Sequence, residues 1–265
     1  MIDGVFVHYL VNELKENNLI GKRINRFGSI KETDFFLTLS NKSKLLFSIN
    51  SNTQNIRLTN LELANNQKLP NFHKLLKKYL ESSIIKDIYQ HGNDRIIIFD
   101  ISSFDEMGYL IPIKLIVELF GRNGNIILTL DDFTIIDGYK RELDDKMDAR
   151  IILPKYQYKF PSSNKINPFN ITDRNIINNL EGVSLLLQNQ IDIDNNTNIL
   201  FKKPNPVIIS NNKTHFYWTD LPYLEGKRQY FSSISKMLEY YYINIKFDET
   251  KNQDQLFLSN YIKKE

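Results

Sequence analysis

Cysteine is absent from this 265-residue chain. Its absence excludes disulfides and every thiolate metal site. Histidine is scarce, and His8, His73, His91 and His215 show no ligand spacing with carboxylates, so no metal centre is expected. An excess of one charge is also missing. With 34 Lys and Arg against 31 Asp and Glu the net charge is only +3, so attraction to a nucleic acid has to come from local clustering. No apolar run approaches the ~20 residues needed to cross a bilayer. The opening Met1-Ile2-Asp3-Gly4 carries an acid where a signal peptide carries positive charge, so a cytoplasmic protein with no membrane partner is expected. Catalytic signatures are missing too. There is no G-x-S-x-G elbow, no G-x-x-x-x-G-K-[ST] loop and no dinucleotide fingerprint. Asp100, Asp105, Glu106 and Glu118 fall in strands or turns without recognisable pairing. The expectation is a non-enzyme, with no catalytic residue and no cofactor.

What is present is a succession of short periodic runs. Val5, Phe6, Tyr9, Leu10 and Leu14 share one stripe of a helix over residues 4–17, with Asp3 placed as its N-cap. From Arg23 to Leu58 the texture is that of an antiparallel meander, notably Phe35 to Leu39 and Leu45 to Ile49. A helix from Asn71 to Glu81 turns Lys74, Lys77 and Lys78 outward. Ile84 to Gln90 and Arg95 to Ser102 read as a hairpin whose two-residue turn uses Gly92 and Asn93 at positive φ. Strands follow over 114–120, 125–130 and 134–139, the first two joined by Gly121-Arg122-Asn123-Gly124.

A composition break from Pro154 to Pro168 reads as a linker. It sets four expected segments: residues 1–165, 166–200, 201–247 and 248–265. In the second, helical stretches at 172–180 and 184–191 joined by Glu181-Gly182-Val183-Ser184 read as a helix-hairpin-helix module. The third holds a hairpin, 207–209 with 215–218, and a helix over 232–244 that pack back on the core. In the last, Leu256, Phe257, Tyr261 and Ile262 have no evident partner, as at the start of a coiled-coil helix cut short.

Two constellations carry chemistry. Asp94 and Arg95 sit side by side at the mouth of a tight turn, where the guanidinium suits a phosphate or base edge and the acid suits a ribose hydroxyl or base amine. Alone, the pair reads equally as a solvated ion pair worth ~0–1 kcal/mol. Gly182, Val183 and Ser184 form the phosphate-binding hairpin of the helix-hairpin-helix, or else an ordinary connection. Lys74, Lys77, Lys78 and Arg122 extend a possible RNA surface, against the plain reading of solvated side chains.

Ordered motifs over residues 1 to about 245 resemble the NFACT N-terminal domain family. They are Asp3-Gly4 with Leu10, Asn12, Glu13 and Leu14; Leu75 to Glu81; Gly92 to Ile96; Glu118 to Leu128; Ile136-Asp137-Gly138; Arg150 to Pro154 with Tyr158 and Pro161; Gly182-Val183-Ser184; and Leu224-Glu225-Gly226. The family includes the bacterial RqcH group, once labelled fibronectin-binding protein A. The resemblance implies a ribosome-associated quality-control factor that binds large subunits with an obstructed nascent chain. It would recruit alanyl-tRNA for untemplated alanine tailing. A surface adhesin for fibronectin or fibrinogen is the alternative. The implied fold is α+β, a β-sandwich-like first domain similar to the N-terminal domain of formamidopyrimidine-DNA glycosylases, followed by the helix-hairpin-helix and a truncated coiled coil. The resemblance puts Asp94, Arg95 and Asp3 at the tRNA site. Glycosylase chemistry needs an N-terminal proline and an adjacent glutamate, and Met1, Ile2 and Asp3 supply neither. Ser82-Ser83 stand where the family has Gly-Gly, Asn123 where it has histidine, and residues 50–55 lack its H-P-S-Y pattern.

Overall fold

The computed structural model describes residues 2–245 except 67, 106 and 144–149. Helix α1 (Gly4–Glu16) starts at Asp3, whose carboxylate accepts from the Phe6 N–H at 2.8 Å and satisfies a donor the first turn leaves free. Val5, Phe6, Val7, Leu10, Val11 and Leu14 are all buried, a wider stripe than one packing face needs, because other elements contact α1 on more than one side.

Two antiparallel meanders follow. β1 (Ile24–Lys31), β2 (Asp34–Leu39), β3 (Lys44–Ser48) and β4 (Asn55–Thr59) form one sheet in sequence order. After α2 (Asn71–Leu80) come β5 (Ile84–Gln90), β6 (Ile96–Phe104), β7 (Leu110–Glu118), β8 (Asn125–Leu130) and β9 (Ile135–Gly138), again in sequence order. The strands are rich in Ile, Leu and Phe, which suit a pleated, half-buried surface. Aromatic rings join the sheets: Phe35 stacks on Phe47 at 4.6 Å, and Phe47 meets Phe99 edge-on at 5.5 Å. Ser82 takes φ +72°, the region that favours glycine, where the resembling family carries Gly-Gly.

The outer face of the five-stranded sheet has its own apolar cluster, Ile96, Ile98, Ile116, Ile127 and Ile135, closed by Ile152 and Tyr158. At its edge Glu118, 1 % exposed, accepts from the Arg150 guanidinium and from the Tyr158 hydroxyl at 2.6 Å. Lys114 bonds Asp100 and Asp131, each at 2.9 Å. Two of the four acids that the sequence left unpaired, Asp100 and Glu118, therefore have partners.

The remaining chain adds α3 (Leu185–Asp194), a sheet of β10 (Val207–Ser210), β11 (Thr214–Tyr217) and β12 (Lys227–Tyr230) in the order β11-β10-β12, and α4 (Ile234–Tyr240). The α4 start is held by Glu13 of α1, which accepts from the Ser235 N–H at 2.9 Å and from that of Ile234. One main core runs from Val5 to Tyr241, with Trp218 and Tyr217 its largest fully buried side chains. No described helix is long and apolar enough to cross a membrane.

The α+β class with antiparallel sheets is as expected, and several details are not. Residues 172–180 form turns instead of a helix. Asp173 accepts from the Asn175 N–H at 2.9 Å, Asn179 takes φ +56°, and Ile166 pairs with Leu180 in an extended bridge, so the backbone groups are satisfied outside a helix. The helix-hairpin-helix thus lacks its first helix. The expected helix over 232–244 is α only to Tyr240 and widens to a π turn from Tyr241 to Ile245. β12, with its polar Lys-Arg-Gln-Tyr sequence, gave no strand signal. The expected coiled-coil start, residues 248–265, lies outside the described residues.

Candidate functional site

The connection between β5 and β6 is a five-residue loop, 91–95, in place of the expected two-residue turn. Gly92 has φ +54°, whereas Asn93 keeps negative φ and is fully buried. Asn93 is a tether: its N–H donates to the Glu181 carboxylate at 2.8 Å, and its amide donates to the Glu181 carbonyl at 2.6 Å. Gln90 bonds the carbonyls of Gly4 and Asp94 at 2.8 and 2.7 Å. Three distant segments therefore meet backbone to backbone. A Cβ on Gly4 would lie 1.7 Å from the Asn93 carbonyl oxygen, and one on Gly182, at φ +66°, would lie 1.8 Å from that same atom.

Asp3 locks the junction. Besides capping α1 it accepts from the Ser184 N–H at 3.2 Å and the Tyr217 hydroxyl at 2.7 Å. Burial pushes its carboxyl above the ordinary carboxylate value, although the three donors oppose the shift. The same burial, with the neighbouring carboxylate, drives the Tyr217 phenol well up.

Around this junction opens a cleft of about 380 Å³ lined by Asp94, Arg95, Ser163, Lys165, Glu181 and residues 182–184. His91 stacks on Phe160 at 3.7 Å, which draws the segment carrying Ser163 and Lys165 over the loop. Among the described residues, no ion pair joins Asp94 and Arg95. Asp94 instead accepts from the Arg95 backbone N–H at 2.7 Å. The Arg95 guanidinium lies 5.3 Å from the centre of the Phe120 ring, and its five donors have no acceptor among the described residues. The same holds for the Lys165 ammonium and for the N–H groups of Gly182 and Val183. Two cations, Arg95 and Lys165, and two carboxylates, Asp94 and Glu181, thus line one opening together with residues 182–184, a set matched to a phosphate on the cations and a hydroxyl or amine on the acids.

Of the residues singled out in the sequence, Asp94, Arg95 and 182–184 converge here. Asp3 is also part of the cleft wall but only 5 % exposed, with its oxygens bonded inside the protein. Lys74, Lys77, Lys78 and Arg122 are exposed and do not line the cleft. Lys77 pairs with Glu81 at 3.7 Å, and Lys74 reaches Asn71 at 3.4 Å. Sequence reasoning missed Lys165, hidden in a stretch read as linker, and Glu181, read only as part of a helix connection. It also missed Tyr217, for which no local signal exists.

Fold and cleft together define an α+β, antiparallel-sheet protein with an anion-suited opening at the meeting of its N-terminus, its central hairpin and its 182–184 turn. The chain belongs to the family described as NFACT N-terminal and middle domains, which matches residues 3–194. It is 31 % identical to the Rqc2 homolog RqcH of Bacillus subtilis over 96 % of this chain and 51 % of that protein. To the Rqc2 homolog RqcH of Streptococcus suis it is 31 % identical over 91 % of this chain and 48 % of that one. The chain spans about half the length of these curated relatives. Among solved structures it resembles the N-terminal part of the fibronectin/fibrinogen-binding protein of Streptococcus suis, with TM-score 0.80 and 28 % identity over 91 % of this chain and 99 % of that one. The crystal structure of the fibrinogen binding protein from Staphylococcus aureus gives TM-score 0.77 and 28 % identity, over 91 % and 98 % of the two chains.

Proposed function

We propose that this chain is the tRNA-engaging part of a ribosome-associated quality-control factor, acting in the cytoplasm and doing no chemistry of its own. In this reading it works on large ribosomal subunits with an obstructed nascent chain, where the bound tRNA is alanyl-tRNA and the ribosome adds the alanine tail. One observation carries the reading: Arg95, Lys165, Gly182 and Val183 line one cleft beside Asp94, and among the described residues neither cation has an acceptor. Phosphates suit the cations and backbone donors, while a ribose 2′-hydroxyl or a base amine suits Asp94. Kinship with the RqcH proteins supports the ribosomal setting. The layout of paired antiparallel sheets is the support for a glycosylase-like first domain.

Replacing Asp94 and Arg95 together by alanine should weaken tRNA binding at least about tenfold, since a hydrogen bond to a charged group is worth ~1.5–3 kcal/mol. Thermal stability should hardly change, because neither side chain is fully buried. Filter binding and a thermal melt read both quantities, and unchanged tRNA affinity overturns the site. The adhesin reading has the names of two solved neighbours behind it. It requires the endogenous protein to be cleaved when intact cells are treated with protease.

A further inference from the structure

At the end of the five-stranded sheet away from the cleft, the turn between β6 and β7 carries large apolar side chains out into water. β6 starts beside Arg95 and reaches Phe104 about 27 Å away, at ~3.4 Å per residue. Met107 is 84 % exposed, Tyr109 67 % and Leu110 63 %, and Phe104 stands opposite Leu110 in the ladder. The turn is held in shape. The Asp105 carboxylate accepts from the N–H groups of Met107 and Tyr109 at 2.9 and 2.8 Å, and the Asp105 N–H donates to the Tyr109 carbonyl at 2.9 Å. Alternation along the strands puts Phe104, Leu110 and Pro112 on the outer face, whose isoleucine cluster Ile152 and Tyr158 close. Beyond the Asp100–Lys114 pair, all three of these side chains are exposed.

The charge around this apolar tip is acidic. β8 ends with Leu130 opposite Ile113, so the exposed turn Asp131-Asp132 flanks β7 beside Pro112. With Asp100 and Asp105 this sets four acids against two lysines, Lys86 at the β5 bulge and Lys114, whose ammonium is already bonded to Asp100 and Asp131. The lysines of α2 belong to the other face of the sheet, where buried Ser103 donates to the Tyr79 carbonyl. We propose that the tip docks into an apolar pocket bordered by lysine or arginine on a protein of the large ribosomal subunit. The proposal rests on the ribosomal reading above and gives it a second contact. Chemistry selects the occupant. Side chains this apolar are stabilised by burial against another apolar surface, which phosphate and ribose do not offer, and the acids repel an RNA backbone and anionic lipid headgroups alike. A second copy of this chain meeting tip to tip would set the same acids against each other, and four side chains fall short of the ~20–30 residues a side of a stable interface. On a particle that the cleft already holds through its tRNA, a small second contact gains from effective concentration, and its distance from Arg95 lets both be made at once.

The test measures binding of the chain to large ribosomal subunits with an obstructed nascent chain, and to the RNA extracted from the same particles. Met107→Ser and Tyr109→Ser are introduced together at exposed positions, so the variant should fold, as circular dichroism will show. It should bind the subunits about tenfold more weakly than wild type, the loss expected of one well-packed anchor. Its affinity for the extracted RNA and for free tRNA should be unchanged. Equal affinity of variant and wild type for the subunits overturns the docking and leaves the tRNA cleft standing. An equal loss on the extracted RNA also overturns it, since the partner is then RNA. So does a wild-type dimer in light scattering that the variant lacks, because a second copy then covers the tip. Failure of wild type to bind the subunits overturns the ribosomal reading itself, and the docking with it.

Discussion

His73 shows how a single buried side chain ties this fold to pH. Its imidazole is 1 % exposed, 2.7 Å from the Ser29 hydroxyl and edge-on to Phe27 and Phe35. Burial lowers its pKa from the ordinary 6.5 to about 4, partly offset by a hydrogen bond with the Glu32 backbone. The unfolded chain therefore takes up a proton at a pH where the folded chain does not. Stability should fall by about 3 kcal/mol as pH drops from 6.5 towards 4 and level off below. Urea midpoints across that range, with an NMR titration of the His73 ring, check the value; a ring that titrates near 6.5 contradicts it. Gly182 tests backbone geometry at the same scale. Gly182→Ala sets a methyl 1.8 Å from the Asn93 carbonyl oxygen on a backbone at φ +66°, so a loss of about 2–5 kcal/mol is expected in urea unfolding. At this scale the sequence was partly legible. Asp3 as a cap was readable because that role is set by its immediate neighbours. Asn93 was misread because the partner that decides it, Glu181, is 88 residues away.

Elements were legible wherever one face is buried and the pattern repeats. Strands β2, β3, β6 and β8 announce themselves by Phe, Ile and Leu runs between polar turns. The stretch 172–180 has Ile176 and Ile177 among asparagines, and local side-chain bonds from Asp173 outcompeted the helix. β12 is polar and exposed, so nothing in its pattern required a sheet. The segment over the outer face of the five-stranded sheet yields a prediction of its own. Arg150→Ala would leave Glu118 buried without its counter-ion, which costs about 3–5 kcal/mol. The loss should appear both in thermal unfolding and as faster proteolysis of residues 150–160, the strap that covers the isoleucine cluster.

For the molecule as a whole, net charge is a poor guide to partners. The +3 balance hides a cleft where Arg95 and Lys165 have no acceptor among the described residues. Affinity for tRNA should fall with salt, the slope of log affinity against log salt growing by about 0.7–0.9 for each phosphate contacted. A flat titration from low to moderate salt contradicts phosphate contact. The Arg95→Ala variant should show a shallower slope than wild type in the same titration. Which segments form the cleft was not legible, because the linker reading separated Lys165 and residues 182–184 from the hairpin they adjoin.

The bond between Asp3 and Tyr217 joins residues 214 positions apart. On a ribosome adding ~5–20 residues per second, Asp3 leaves the exit tunnel about ten to forty seconds before Tyr217 can reach it. Through that interval the Asp3 carboxylate lacks the hydroxyl that completes its lock, although Asn93 and Gly182 emerge earlier and can already meet Gly4. The Asp3–Tyr217 contact is therefore among the last in the molecule to form. A nascent chain whose translation stops before residue 217 carries every residue that lines the cleft but lacks the hydroxyl that ties Asp3 to the last sheet.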